Sequence, residues 1–135
     1  MIKKFKPADE WLKQAEYDLE TAQALFASGR YIYTIFMRHL SIEKGLKGLY
    51  ALAYNKDAPK THNLNYLVEK ISEHIDIDLS DELDEFLKFL NEKSIPTRCP
   101  EDLKIILKDF KKTNTNKILK QTKDLLEWLR LKFKS

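Results

Sequence analysis

Apolar side chains along this chain recur mostly every three to four residues, the interval that lines one face of an α-helix. Between residues 8 and 28 the stripe is Trp11/Leu12, Ala15, Leu19, Ala22 and Phe26. Pro7 precedes it, Asp9 and Glu10 sit in its first turn, and Gly29 follows its end. These are helix start and stop signals. Residues 30–54 carry two apolar stripes, one through Ile35, Ile42, Leu46, Leu49 and Ala53. The other runs through Phe36, Leu40 and Tyr50, and includes Glu43 and Lys47. A helix apolar on several sides is expected at the centre of its bundle. Residues 55–62 read as a loop, and Leu64, Leu67, Val68 and Ile71 give a short helix over 64–74. Ser80 is placed to cap a further helix whose buried face is Leu83, Phe86, Leu87 and Leu90. SIPTRCPED, with Pro96 and Pro100, reads as non-helical. A short helix is expected over 102–110. The TNTN run at 113–116 is expected to cap a last helix built on Ile118, Thr122, Leu125, Leu129 and Phe133. The pattern predicts an all-α, up-and-down bundle of about five helices around a four-helix core.

Composition supports one domain over residues 1–135. The chain has 135 residues, 43% of them apolar, enough for a core of its own. Three glycines and four prolines are too few for a turn-rich β-sandwich or barrel. Two of those glycines, Gly45 and Gly48, nevertheless fall inside the second helix, where helices usually avoid them. Small residues three apart let a neighbouring helix come close. The single cysteine, Cys99, allows no internal disulfide and fits a reducing compartment. The N-terminus lacks the apolar run of a signal peptide. No stretch nears the ~18–20 apolar residues that span a bilayer. A soluble, cytoplasmic protein with no membrane contact is expected.

Charge is unevenly spread. Residues 69–92 hold nine acidic and two basic groups, and residues 103–135 hold ten basic and three acidic. The two segments are able to attract each other within a bundle or between subunits, and the basic one is able to meet a phosphate backbone.

Three segments stand out chemically. Glu43 and Lys47 are four apart on a helix, so they pair along one face. That is either simple helix stabilisation or a way to hold a lysine near a nucleotide phosphate. His62, in Pro59-Lys60-Thr61-His62-Asn63-Leu64, lies beside a helix N-terminus that Thr61 or Asn63 caps. It either packs at the junction or joins an anion-binding end. Arg98, in Thr97-Arg98-Cys99-Pro100-Glu101-Asp102, is either a structural ion-pair partner or a phosphate contact. No Cys/His spacing suggests a metal site.

In order along the chain, these elements resemble the HEPN domain family, the higher eukaryotes and prokaryotes nucleotide-binding domain. The resemblance rests on Trp11, Ala15, Asp18-Leu19, Ala22 and Leu25, then Gly29-Arg30-Tyr31, Phe36 and Glu43-Lys44-Gly45-Leu46-Lys47-Gly48-Leu49. It continues through Thr61-His62-Asn63-Leu64 and Arg98-Cys99-Pro100-Glu101-Asp102. The usual forms in that family are EKALKA, THDL and RYPD, so this chain departs slightly at each. The resemblance implies a helical bundle of four or five helices, commonly dimeric. It also implies work beside a separate minimal nucleotidyltransferase, as its substrate-binding subunit or as half of a toxin–antitoxin pair. The ribonuclease branch carries Arg, four to six residues, then His. None of Arg30, Arg38 or Arg98 is followed by His at that distance.

The favoured expectation is therefore a nucleotide-binding domain with no catalytic residue and no intrinsic cofactor, taking ATP or another nucleotide. Lys44, Lys47, His62 and Arg98 would contact phosphates, supported by Glu43, Arg38, His39 and Asp102. One alternative is a structural homodimer without ligand, anchored by aromatics such as Tyr31, Tyr33, Tyr50 and Tyr54. Another is a variant HEPN ribonuclease using Arg38 and His39, for which RNA is a partner that nothing else in the sequence supports.

Overall fold

The computed structural model describes residues 5–98, 101, 103–109 and 111–134. These form six helices and no strand: α1 (Ala8–Ala27), α2 (Tyr31–Tyr54), α3 (Leu64–Ser72), α4 (Asp81–Arg98), α5 (Leu103–Asp109) and α6 (Lys112–Lys134). None of them is long and apolar enough to cross a membrane.

α1 and α2 form an antiparallel hairpin over a three-residue turn. Gly29 takes φ +78°, which an L side chain rarely adopts. There the Gly29 amide donates to the Phe26 carbonyl and the Arg30 amide to the Leu25 carbonyl, closing the last carbonyls of α1. α2 is the axis of the molecule. It packs against α1, α3, α4 and α6, and 15 of its 24 residues are buried. Ile35, Ile42, Leu46 and Leu49 on α2 meet Leu64, Leu67 and Ile71 of α3, Leu87 and Leu90 of α4, and Leu125, Leu126 and Leu129 of α6 in one core. The caps of α3 and α4 follow from local chemistry. The Asn63 side chain accepts from the Tyr66 amide, and Ser80 Oγ accepts from the Leu83 amide.

The short helix expected over 102–110 is present as α5, making six helices among the described residues. Two sequence expectations need correction. α4 does not stop before SIPTR but runs to Arg98. The fixed φ of proline is itself helical, so Pro96 forfeits one ladder bond without forcing an end within two residues. TNTN does not cap α6. The ladder starts one turn earlier, with the Lys111 carbonyl accepting from the Thr115 amide, and Thr115 turns fully into the core. The acidic and basic segments meet where Lys132 Nζ donates to the Asp76 carbonyl at 3.4 Å. α4 and α6 each pack on α2 and barely touch each other. A cleft of about 630 Å³ separates them, lined by Phe86, Phe89, Ile118 and Lys117.

The close-approach glycines sit at the tightest helix contacts. A Cβ on Gly45 would lie 2.9 Å from Leu129 Cδ1 of α6. A Cβ on Gly48 would lie 2.9 Å from both Phe133 Cζ of α6 and Trp11 Cβ of α1, and 3.1 Å from the Ala8 carbonyl.

Candidate functional site

Glu43 is the hub of the only stretch of α2 where three ionisable partners gather on one carboxylate among the described residues. Its side chain is 4% exposed. Lys47, one turn on, donates Nζ to Glu43 Oε2 at 3.0 Å. The 55–63 loop returns to the helix and brings His62 Nδ1 within 2.8 Å of Glu43 Oε1. His39, one turn back, holds Nδ1 at 3.8 Å from the same oxygen. The Glu43 and Lys47 charges cancel, which is what allows both to be buried.

The loop is fastened from α4. The Asn91 side chain accepts from the Leu64 amide and donates to Asn63 Oδ1 and Asn65 Oδ1. These bonds also occupy the first amides of α3, since Leu64 donates to Asn91 and Tyr66 to Asn63. His62 therefore sits beside a helix start whose donors are largely taken, and its firmest partner is Glu43. Sequence reasoning did not single out Asn91. Its signal is spacing: Leu87 and Asn91 are one turn apart, so a polar residue continues a buried stripe.

On the other side of Lys47 stands Trp11 of α1. Lys47 Nζ lies 5.8 Å from the centre of its ring, and Lys6 Nζ lies 3.9 Å from it. Two ammonium groups thus flank one indole. The patch reads, in spatial order, Lys6, Trp11, Lys47, Glu43, His62. His62 is the accessible member, with 62% of its side chain exposed.

The other sequence candidates lie elsewhere. Lys44 points to α1 and pairs with Asp18 Oδ2 at 2.8 Å. Arg38 points to α6 and is fully buried, its one hydrogen bond a 3.5 Å contact from Nη1 to Thr122 Oγ1. Nε and Nη2 have no partner, and burial pulls the guanidinium pKa down to about 9. His39 is also fully buried, and neither ring nitrogen closes a well-aligned hydrogen bond. Burial lowers its pKa, outweighing the nearby Glu43, Asn91 and His62 backbone, which favour the charged form. Arg38 and His39 face different neighbours and are shut off from solvent within the chain. The Arg98 side chain and Asp102 lie outside the described residues. No group of three or more His, Cys, Asp or Glu side chains among the described residues is arranged to hold a metal ion. Of the aromatics considered as anchors, Tyr50 is buried, Tyr31 and Tyr54 are half-buried, and Tyr33 is 52% exposed. Tyr54 is tied to α3 through a 2.6 Å bond to the Lys70 carbonyl.

The family model of the HEPN domain matches residues 8–132. The fold is similar to the crystal structure of TT1696 from Thermus thermophilus, with a TM-score of 0.78 and 27% identity over 93% of this chain and 97% of that one. It is also similar to ST0689, an archaeal HEPN homologue, with a TM-score of 0.71 and 22% identity over 93% and 96% of the two chains. No curated protein sequence matches the chain.

Proposed function

Because the chain belongs to the HEPN domain family, we propose that it is a nucleotide-binding helical domain working in trans with a separate minimal nucleotidyltransferase. The observation that carries this reading is the convergence of Lys47 and His62 on Glu43, beside an indole flanked by Lys6 and Lys47. Cations gathered on an indole suit the phosphates of a nucleotide, and the exposed imidazole adds a hydrogen-bonding group at the rim. Lys47 and His62 are the central phosphate contacts. Lys44, held by Asp18 on the α1 side of α2, lies outside this patch, and Arg98 completes the proposed cationic set. ATP or a related nucleotide is the ligand, and the domain supplies binding rather than chemistry to its partner.

Titration of the intact protein with ATP in a calorimeter tests this. Saturable heat is expected, weakened at least tenfold by Lys47→Met or His62→Ala. No binding to the protein, alone or with a nucleotidyltransferase encoded beside it, overturns the reading.

We also propose that the domain is a homodimer, as its membership of the HEPN family suggests. Sedimentation velocity checks it: a species of twice the chain mass is expected, and a monomer at all concentrations removes it.

A further inference from the structure

Arg38 is a buried charge that the nucleotide reading leaves unused. Its side chain is fully buried, Nε and Nη2 have no hydrogen-bond partner, and Nη1 reaches only Thr122 Oγ1 at 3.5 Å. That hydroxyl is itself committed, since it donates to the Ile118 carbonyl at 2.9 Å. Burial pulls the guanidinium pKa down to about 9, so the group is still charged at neutral pH. Thr115, two turns earlier on the same face of α6, is buried with an unpartnered Oγ1. The N-terminal half of α6 therefore covers polar groups that it does not satisfy, an arrangement that lowers stability. The C-terminal half is the reverse. Leu129 and Phe133 lie against Gly45 and Gly48, and Arg130 Nε donates to Glu16 Oε1 of α1 at 3.0 Å. The helix is pinned at one end and loosely seated at the other. The loose end also has room to move. Ile118 and Gln121, which neighbour Thr122 on α6, line the cleft of about 630 Å³ towards α4.

We propose that Arg38 is a gated anion site: α6 pivots about its C-terminal half, its first turns move into the cleft, and free phosphate binds the uncovered Nε and Nη2. Those two nitrogens form the fork that takes two oxygens of one phosphate at once. The motion required is small. Thr122 lies seven residues before Leu129, about 10 Å along the axis, and Thr115 lies about 21 Å before it. A rotation of roughly 10° about Leu129 then shifts Thr122 by about 2 Å and Thr115 by about 4 Å. The first shift breaks the one long bond of Arg38, and the second lifts the turn that carries Thr115. Opening hydrates a charge that the closed chain leaves unanswered. Phosphate contacts the guanidinium only in the open form, so binding shifts the population towards it. The site faces α6 and uses none of Lys47, His62 or Glu43, so it is independent of the nucleotide reading.

The test uses the intact protein with inorganic phosphate as the probe, compared with chloride at matched ionic strength and neutral pH. Phosphate is expected to raise the melting temperature saturably in the parent and much less in Arg38→Met, whose response measures the general salting effect. Arg38→Lys, which keeps the charge and loses the fork, is expected to fall between the two. Gating has its own readout. In a chain that also carries Cys99→Ser, the thiol of Thr115→Cys should react with a water-soluble disulfide reagent roughly tenfold faster in phosphate than in chloride. Adding Arg38→Met to that chain should remove the difference. Equal phosphate responses in the parent and in Arg38→Met overturn the inference, as does a thiol that phosphate leaves equally protected. ATP calorimetry keeps the two sites apart, because ATP binding is expected to survive Arg38→Met. If that variant instead loses ATP binding, Arg38 belongs to the nucleotide site and the separate anion site falls.

Discussion

Glu43 and Arg38 are both charged, both buried, and five positions apart on α2, yet their surroundings differ sharply. Glu43 has a partner on each oxygen and a third ionisable group within 4 Å. Arg38 has one long bond to a threonine, and no described carboxylate lies within salt-bridge distance of it. The first is a completed network, in which each charge is answered by another. The second is a desolvated charge left to itself, which costs stability rather than supplying it. Burial alone therefore does not rank the two, whereas their partners do.

The largest effect should come from breaking the completed network. Glu43→Ala strands the Lys47 ammonium, whose side chain is only 10% exposed, and should cost about 3–5 kcal/mol by chemical denaturation. The double change Glu43→Ala with Lys47→Met should recover much of that loss, because no unpaired charge remains. If the single and double variants are equally unstable, the pair is not what holds this level of the bundle.

Arg38 should respond with the opposite sign. Arg38→Met keeps an unbranched apolar stem and removes the uncompensated charge, so it should raise stability by about 1–3 kcal/mol. A loss of that size would mean that the guanidinium has a counter-charge in the folded protein.

How much of this contrast is visible in the sequence depends on the reach of each contact. Glu43 and Lys47 are one helical turn apart, so their pairing follows from spacing. The central place of α2 follows from its two apolar stripes, and the caps at Asn63 and Ser80 from residue type beside an apolar run. The arrival of His62 at Glu43 does not follow, because the end of α2 and a whole loop lie between them. Asn91 is further still, and its three bonds exist only once α4 lies against α3. Thr115 misleads in the other direction. Threonine suits a cap, but here its side chain faces the core, and burial decides its role. Pro96 misleads because a proline near a helix end is compatible with helical φ.

The two glycines of α2 test the packing on which both polar levels depend. Gly48→Ala sets a methyl against Trp11 Cβ and the Ala8 carbonyl, atoms held by the backbone of α1. The clash should exceed the helical preference for alanine, giving a net loss of about 1–2 kcal/mol. Gly45→Ala meets mainly the end of the Leu129 side chain, which can turn away. Overpacking and propensity then roughly cancel, and its melting temperature should stay near that of the parent. A rise for Gly48→Ala would show that α1 does not approach α2 as closely as 2.9 Å implies.

His39 gives the smallest and most direct reading, because it sits between the two regimes. It follows Arg38 in sequence and lies one turn before Glu43. Burial lowers its pKa from 6.5, while Glu43, Asn91 and the His62 backbone pull upward and a charged His62 pulls downward. Because the folded value is the lower one, the unfolded chain takes up the proton first. The stabilising contribution is thus full above about pH 6.5 and is lost as pH falls from there through the folded value. For one group the slope cannot exceed about 1.4 kcal/mol per pH unit. Urea midpoints of the parent and of His39→Gln at about pH 7.5 and about pH 5.5 isolate this contribution, since His62, His74 and the carboxylates are common to both proteins. The parent should lose more stability on acidification than the variant. If it instead loses less, the Glu43 carboxylate outweighs burial at His39, and the completed network extends one turn further towards Arg38 than the hydrogen bonds alone indicate.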